Sequence, residues 1–300
     1  MERFLKLSNL KQSQDNTMKA VIPCAVKEDS LFPFTESKPT GMLPVMGKPL
    51  VKHLISDLQQ HGVDDIYLVT NYKEEVFQEE FDEYTNVNTF TQEELNGSGG
   101  AVEACDFIEE DFVVVNGDVI TSERDIGNLL EKHEKEDSEA TLLATDDDQP
   151  EKFGVLGIQN DRVNKLEEKP DEPDNTLVNT GIYVFTPKIF DILKEMDEDD
   201  KWLSEAVKQL VEKNDVRFEM VKDYWLKKLW KADRMKREYE IEETDIHEDA
   251  DVHDSVEIEG KAVVGKDAVI KPNTSIEGEV FIGRNCVIGP NTTVKDSTIT

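Results

Sequence analysis

The residues best placed to do chemistry in this 300-residue chain are polar ones that follow short apolar runs. The first such stretch spans residues 18–50: an apolar run at 20–23, a polar segment with Val26, Lys27, Glu28, Asp29, Ser30 and Thr40, then Met42, Leu43, Pro44 and Val45 ahead of an amphipathic helix. That order predicts a buried strand, a loop at its carboxyl end and a first helix, and in an α/β protein such a loop is where ligands bind. A second candidate is the glycine-rich loop 96–100, which holds Gly97 and Ser98 and follows Gln92. A third is Asn116, Gly117 and Asp118, which close the run 112–115 and bring a carboxylate to a strand end. Phe153, Gly154, Glu168, Lys169, Asn179 and Thr180 lie further on, among short strands and turns. Taken singly, each of these is also a plain strand-to-turn signal.

The elements that must position them alternate. Strands are expected at 21–23, 66–70, 87–90 and 112–115, and helices at 49–61, 74–83 and 101–108. Such alternation implies a Rossmann-like, mostly parallel α/β sheet with helices on both faces. From 151 to 185 the pattern shifts to short strands and turns, as in an antiparallel part of the same sheet. Helical stretches are expected at 202–213 and 225–239.

The last part is periodic. Ile246, Val252, Ile258, Val264, Ile270, Ile276, Ile282, Ile288 and Val294 recur every six residues, and a second series from Ala250 to Thr298 follows each by four. A hexapeptide period marks a parallel β-helix whose aliphatic residues point inward. The expected organisation is an N-terminal extension at 1–17, an α/β domain at 18–240 and a β-helix at 241–300. With about 18 residues per coil the repeats make about three coils. The repeats reach Thr300 without a capping segment, so either the chain is a fragment or another subunit covers that end.

Composition narrows the partners. Against 34 basic residues stand 66 acidic ones, a formal charge of -32. Nucleic acid is an unsuitable partner, because a basic footprint is needed to displace phosphate counterions. The acidic residues are spread through every segment, as on a solvated surface suited to high salt. Cys24, Cys105 and Cys286 are far apart and odd in number, which indicates neither a disulfide framework nor a zinc site. No apolar run approaches a membrane span, and residues 1–17 lack the apolar middle of a signal peptide. A cytoplasmic protein is expected, with no membrane partner.

The order of motifs resembles the sugar-1-phosphate nucleotidyltransferases, the nucleoside-diphosphate-sugar pyrophosphorylases, of the glucose-1-phosphate thymidylyl- or uridylyltransferase kind. Several of these carry a left-handed β-helix after the catalytic domain. Pro33, Thr35, Pro39 and Met42 to Val45 match the opening element, and Gln92, Gly97, Ser98 and Ala101 resemble the base-recognition loop. The resemblance implies that Asp118 holds Mg²⁺, and that Gly154, Glu168, Lys169, Asn179 and Thr180 line the sugar-phosphate side. A glutamine offers a base edge both donor and acceptor, and a carboxylate is a hard ligand that lets Mg²⁺ bridge phosphate oxygens.

The opening loop departs from the pattern. Where the family has a glycine-rich loop with an arginine, this chain has Val26 to Asp29 and Ser30, and Thr40 stands at a lysine position. Without glycine the amides cannot curl around a triphosphate, and Glu28 with Asp29 puts negative charge where phosphates belong. At the second metal-binding aspartate, after Trp225 and Leu226, stands Lys227, which repels Mg²⁺. Two functions of different class follow. One is an active Mg²⁺-dependent nucleotidyltransferase that releases pyrophosphate. The other, favoured by the degenerate loop, is a catalytically weakened regulatory or scaffolding subunit that binds nucleotide sugar or sugar phosphate, as a homo-oligomer or with an active paralogue. Acyl transfer by the β-helix is a lesser third, since His247 and His253 occupy outward positions of the repeat.

Overall fold

The computed structural model describes residues 18–25, 31, 34–45, 48–136, 138–198, 201–213, 215–227 and 243–299. The extension 1–17, Ser30 with the rest of 26–30, Pro33 and residues 228–242 lie outside that set. The chain divides into two compact units. The first takes the described residues of Met1–Ala25, Ile55–Asn116 and Thr121–Trp225; the second takes those of Val26–Leu54, Gly117–Ile120 and Leu226–Thr300.

The first unit is built on a nine-stranded sheet. Its strands are β1 (Met18–Pro23), β2 (Val63–Thr70), β3 (Val87–Thr91), β4 (Phe112–Val115), β5 (Ala140–Asp146), β6 (Gly154–Gln159), β7 (Arg162–Glu168), β8 (Leu177–Phe185) and β9 (Val216–Met220). They run in the order β7-β6-β8-β4-β1-β2-β3, with β5 also pairing with β8 and β9 with β5. The β4-β1-β2-β3 core is parallel, with Ala20 opposite both Val113 and Ile66. Strands β6, β7 and β8 are antiparallel additions, as the change of pattern after 151 predicted.

Both faces of the parallel core are buried. Val21, Tyr67, Val69 and Val114 pack on Ala101, Val102, Cys105 and Ile108. Residues of opposite parity, Ala20, Ile22, Ile66, Leu68, Val113 and Val115, are fully buried as well. That double burial explains the unbroken apolar runs in the sequence. Two of the parallel strands begin three residues earlier than expected: β1 starts at Met18 and β2 at Val63.

Two sequence expectations need correction. The helix placed at 101–108 runs over Ser98–Glu103, because Gly97, Ser98 and Gly99 enter the first turn and the chain leaves in turns before Ile108. The stretch 225–239 does not begin as a helix: Trp225–Lys227 is a strand that pairs with Val119–Thr121, and 228–239 falls outside the described residues. Bulky Trp225 with its neighbours suits a half-buried pleated surface as well as a helix face. The helix Glu123–Lys135 carried no strong apolar signal, yet its ends are well specified. Ser122 caps it, accepting from the Asp125 amide at 3.0 Å, with acids in the first turn and Lys132, His133 and Lys135 in the last.

In the second unit, residues 245–299 form the expected parallel β-helix. Strands pair with an 18-residue offset: Asp245 with Val263, Asp251 with Val269, Glu257 with Ser275 and Ser275 with Thr293. The offset shortens at Phe281, which faces Thr298. The inner core holds Val264, Ile270, Ile276, Ile282, Ile288 and Val294 of the six-residue series, together with Ala262, Ala268 and Val280 of the second. Corners are turned by Asp267, Asn273, Asn285 and Asn291, all left-handed. Asparagine and aspartate tolerate that conformation better than other side-chain-bearing residues. Asn273 Nδ2 donates to Asn291 Oδ1 one coil later, at 3.1 Å. No helix among the described residues is long and apolar enough to cross a membrane.

Candidate functional site

The expected site residues of the first unit either follow the carboxyl end of parallel strand β3 or lie on and beside the antiparallel strands next to β4. Two groups are built, at opposite ends of the strand order.

The first group follows β3. Gln92 is buried; its amide donates to the Thr70 carbonyl at 2.7 Å, and Asn71 Nδ2 donates to the Gln92 carbonyl at 2.7 Å. Its Nε2 donates to Asn96 Oδ1 at 2.8 Å and to the Gly97 carbonyl at 3.2 Å. Both side-chain N–H groups are thus spent on the loop, which leaves Oε1, an acceptor, as the polar atom open to a ligand. Gly97 has φ 107, and a Cβ there would lie 2.4 Å from the Lys201 carbonyl oxygen; at Gly99 the corresponding distance is 2.7 Å. Small residues at 97 and 99 therefore let the backbone of Lys201 approach, a reason the sequence did not suggest. Ser98 Oγ accepts from the Leu203 amide at 3.2 Å, which ties the loop to the helix Leu203–Glu212.

The second group spans β4, β8, β6 and β7. Asn116 donates its amide to the Gly181 carbonyl at 3.0 Å. Register in β8 shifts between Asn179 and Tyr183, and the resulting elbow fixes its polar side chains. Asn179 donates through Nδ2 to the Tyr183 hydroxyl at 2.6 Å and accepts from the Gly181 amide at 3.1 Å. Burial pushes the Tyr183 hydroxyl well above the usual tyrosine range. Thr180 is buried: its hydroxyl donates to the Leu143 carbonyl at 2.7 Å, and its carbonyl accepts from Trp225 Nε1 at 3.0 Å. Gly154 packs between Leu166, Glu168 and Asn179. Lys169 is left-handed at φ 47, donates its amide to the Phe153 carbonyl at 2.9 Å, and holds an exposed ammonium 3.5 Å from Glu168.

Thr40 and Asp118 belong to the second unit. Thr40 opens the short helical turn Thr40–Met42, is buried, and its hydroxyl has no hydrogen-bond partner among the described residues. The turn is continued by Pro44–Val45 pairing with Lys48–Pro49, and His53 Nε2 donates to the Val45 carbonyl at 2.8 Å. Asp118 is half-buried in the turn ahead of Val119–Thr121, and Lys227 ends the strand paired with that segment. This donor set does not fit a protein-built divalent metal site. It offers one carboxylate and an ammonium, and among the described residues no three His, Cys, Asp or Glu side chains gather to hold a cation.

A model of the nucleotidyl transferase family matches residues 27–231. The chain belongs to that family. A bacterial transferase hexapeptide model of six repeats matches residues 261–296, which implies a left-handed hand for the β-helix. Among similar proteins is a bifunctional protein GlmU of Methanocaldococcus jannaschii, 33% identical over 213 residues, with 69% of this chain and 50% of that one covered. A UTP–glucose-1-phosphate uridylyltransferase AglF of Haloferax volcanii is 34% identical over 205 residues, covering 65% of this chain and 84% of that one. A solved structure from Bacillus anthracis, named as a glucose-1-phosphate thymidylyltransferase in complex with sucrose, superposes with a TM-score of 0.68 at 26% identity, covering 74% of this chain and 96% of that one. The chain spans about half the length of the GlmU relatives it matches.

Three residues that hold the family elements in place carried no sequence signal. Lys201 backs the glycine-rich loop, Tyr183 fixes Asn179, and fully buried Asp125 accepts from the Lys222 and Asp223 amides just ahead of Trp225.

Proposed function

We propose that this nucleotidyltransferase-family chain binds nucleotide sugar or sugar phosphate and has lost, or greatly weakened, nucleotidyl transfer, acting as a regulatory or scaffolding subunit. The observation that carries this reading is a contrast of charge. The family's arginine and lysine positions hold Ser30 and Thr40 and a metal-ligand position holds Lys227, while the elements around Gln92 and Asn179 keep their hydrogen bonds and leave Gln92 Oε1 for a ligand. An arginine facing a departing phosphate is worth roughly 10³ to 10⁵ in rate in related phosphoryl transfers, and serine supplies none of it. Lys27 is a cation near that position but cannot offer the planar fork of a guanidinium.

Binding is assigned to Gln92, Gly97 and Ser98 for the nucleotide, and to Gly154, Glu168, Lys169, Asn179 and Thr180 for the sugar phosphate. The hexapeptide coils supply the assembly surface, for a second copy or for an active paralogue. Calorimetry with glucose 1-phosphate, UDP-glucose and Mg²⁺-UTP tests the reading. Heat from either of the first two without turnover supports it; tight binding of the Mg²⁺-triphosphate contradicts it.

A second reading rests on the relatives' names, among them AglF: an active enzyme, with Mg²⁺ on Asp118 and the substrate phosphates. It requires Mg²⁺-dependent pyrophosphate release. Acyl transfer draws less support, since His247 and His253 each use Nδ1 to accept an amide within their own turn.

A further inference from the structure

Lys201 is the most deeply buried cation among the described residues, with a side chain of 0% exposure. Its Nζ lies 2.6 Å from Glu103 and 3.2 Å from Glu198. A lysine withdrawn from water this completely is retained only where carboxylates replace its hydration. Its backbone does the rest. The Lys201 amide donates to the Asn96 carbonyl at 2.6 Å, and its carbonyl accepts from Gly99 at 2.8 Å. Residue 201 therefore brackets the glycine-rich loop like a short strand, while Glu103 sits at the far end of the helix that the loop begins. On the other side, Gln92 donates to Asn96 and to Gly97. The loop is held between Gln92 and Lys201; glycine at 97 and 99 contributes no side chain, so beside Asn96 and Ser98 its shape depends on these two neighbours.

We propose that Lys201 is the positioning residue of the glycine-rich loop: its ion pairs with Glu103 and Glu198 keep its backbone against Asn96 and Gly99, and so set the direction of the Gln92 carboxamide. The proposal rests on the reading of that loop as the nucleotide side of the site, and it adds that affinity for a nucleotide is set by a cation that never touches it.

Two variants, Lys201→Met and Glu103→Gln, are compared with the wild-type chain. The first keeps the volume and removes the charge; the second leaves the lysine in place, should the first fail to fold. Hydrogen exchange is followed in the ligand-free protein. In both variants the Gly99 amide is expected to exchange faster while β1 and β4 amides are unchanged. Calorimetry should then show UDP-glucose binding weakened about tenfold, a size typical of coupling through an intervening element. Glucose 1-phosphate, which lacks the base, should bind as in the wild type. Unchanged Gly99 exchange in both variants, or equal weakening of both ligands, overturns the proposal. If the wild-type chain binds neither probe, the sugar-nucleotide reading fails, and exchange at Gly99 still decides whether Lys201 is the clamp.

Discussion

The carbonyl of Lys201 accepts the Gly99 amide at 2.8 Å and lies 2.7 Å from where a Cβ on residue 99 would stand. A methyl group cannot share that space without parting the two backbones. Gly99→Ala should therefore destabilise the chain by about 2 kcal/mol, a usual cost of overpacking. The control is Gly289→Ala in the β-helix, where a Cβ meets only Thr292 Oγ1 at 3.6 Å. Urea denaturation should show less than about 0.5 kcal/mol for the control.

Asp125 satisfies three donors with one carboxylate: the Lys222 amide at 2.8 Å, the Asp223 amide at 3.1 Å and Ser122 Oγ at 2.8 Å. It is fully buried, so no water replaces it. Asp125→Ala leaves two backbone N–H groups unpaired and should cost about 3 kcal/mol, with Asp125→Asn in between. Thermal unfolding followed by circular dichroism reads the order.

Burial, helped by the nearby Glu123 carboxylate, pushes the Asp57 carboxyl up to about 7. An unfolded aspartate titrates near ~3.9. Below that value both states hold the proton and Asp57 contributes nothing to pH dependence. Between the two values the folded state keeps a proton that the unfolded state has released, so stability falls as pH rises, and above about 7 the loss is complete. Asp57→Asn should raise the midpoint of unfolding at pH 8 and leave it nearly unchanged at pH 4.

A formal charge of -32 makes self-repulsion a general term in stability. Raising NaCl from ~0.1 to ~1 M shortens the Debye length from ~10 to ~3 Å and screens it. The melting temperature should climb over that range. A flat or falling profile would show that the acidic surface carries no adaptation to salt.

Much of the fold was legible in the sequence because its signals were redundant. The strand at 112–115 was four consecutive apolar residues, and it is buried on both faces. The hexad series from Ile246 to Val294 repeats one physical requirement nine times, so no single departure hides it. The helix Glu123–Lys135 escaped because its buried stripe is narrow, Ile126, Leu129 and His133, in a run otherwise dominated by charged residues. Gly97 was legible as a site residue, but the reason for it was not. Only the fold brings Lys201, some 100 residues later, against the loop. Likewise Trp225 read as a helix start, and its role as a donor to Thr180 depends on a contact across 45 positions.

The central claim is that the residues replaced at 30, 40 and 227 removed the transfer chemistry and left the binding elements in place. A Mg²⁺-dependent pyrophosphate-release assay, with UTP or dTTP and glucose 1-phosphate, tests it most directly when the wild-type chain is run beside the double variant Ser30→Arg with Thr40→Lys. We expect no release above background from the wild type and measurable release from the double variant. Steady turnover by the wild-type chain, with any common triphosphate and hexose phosphate, would contradict the claim.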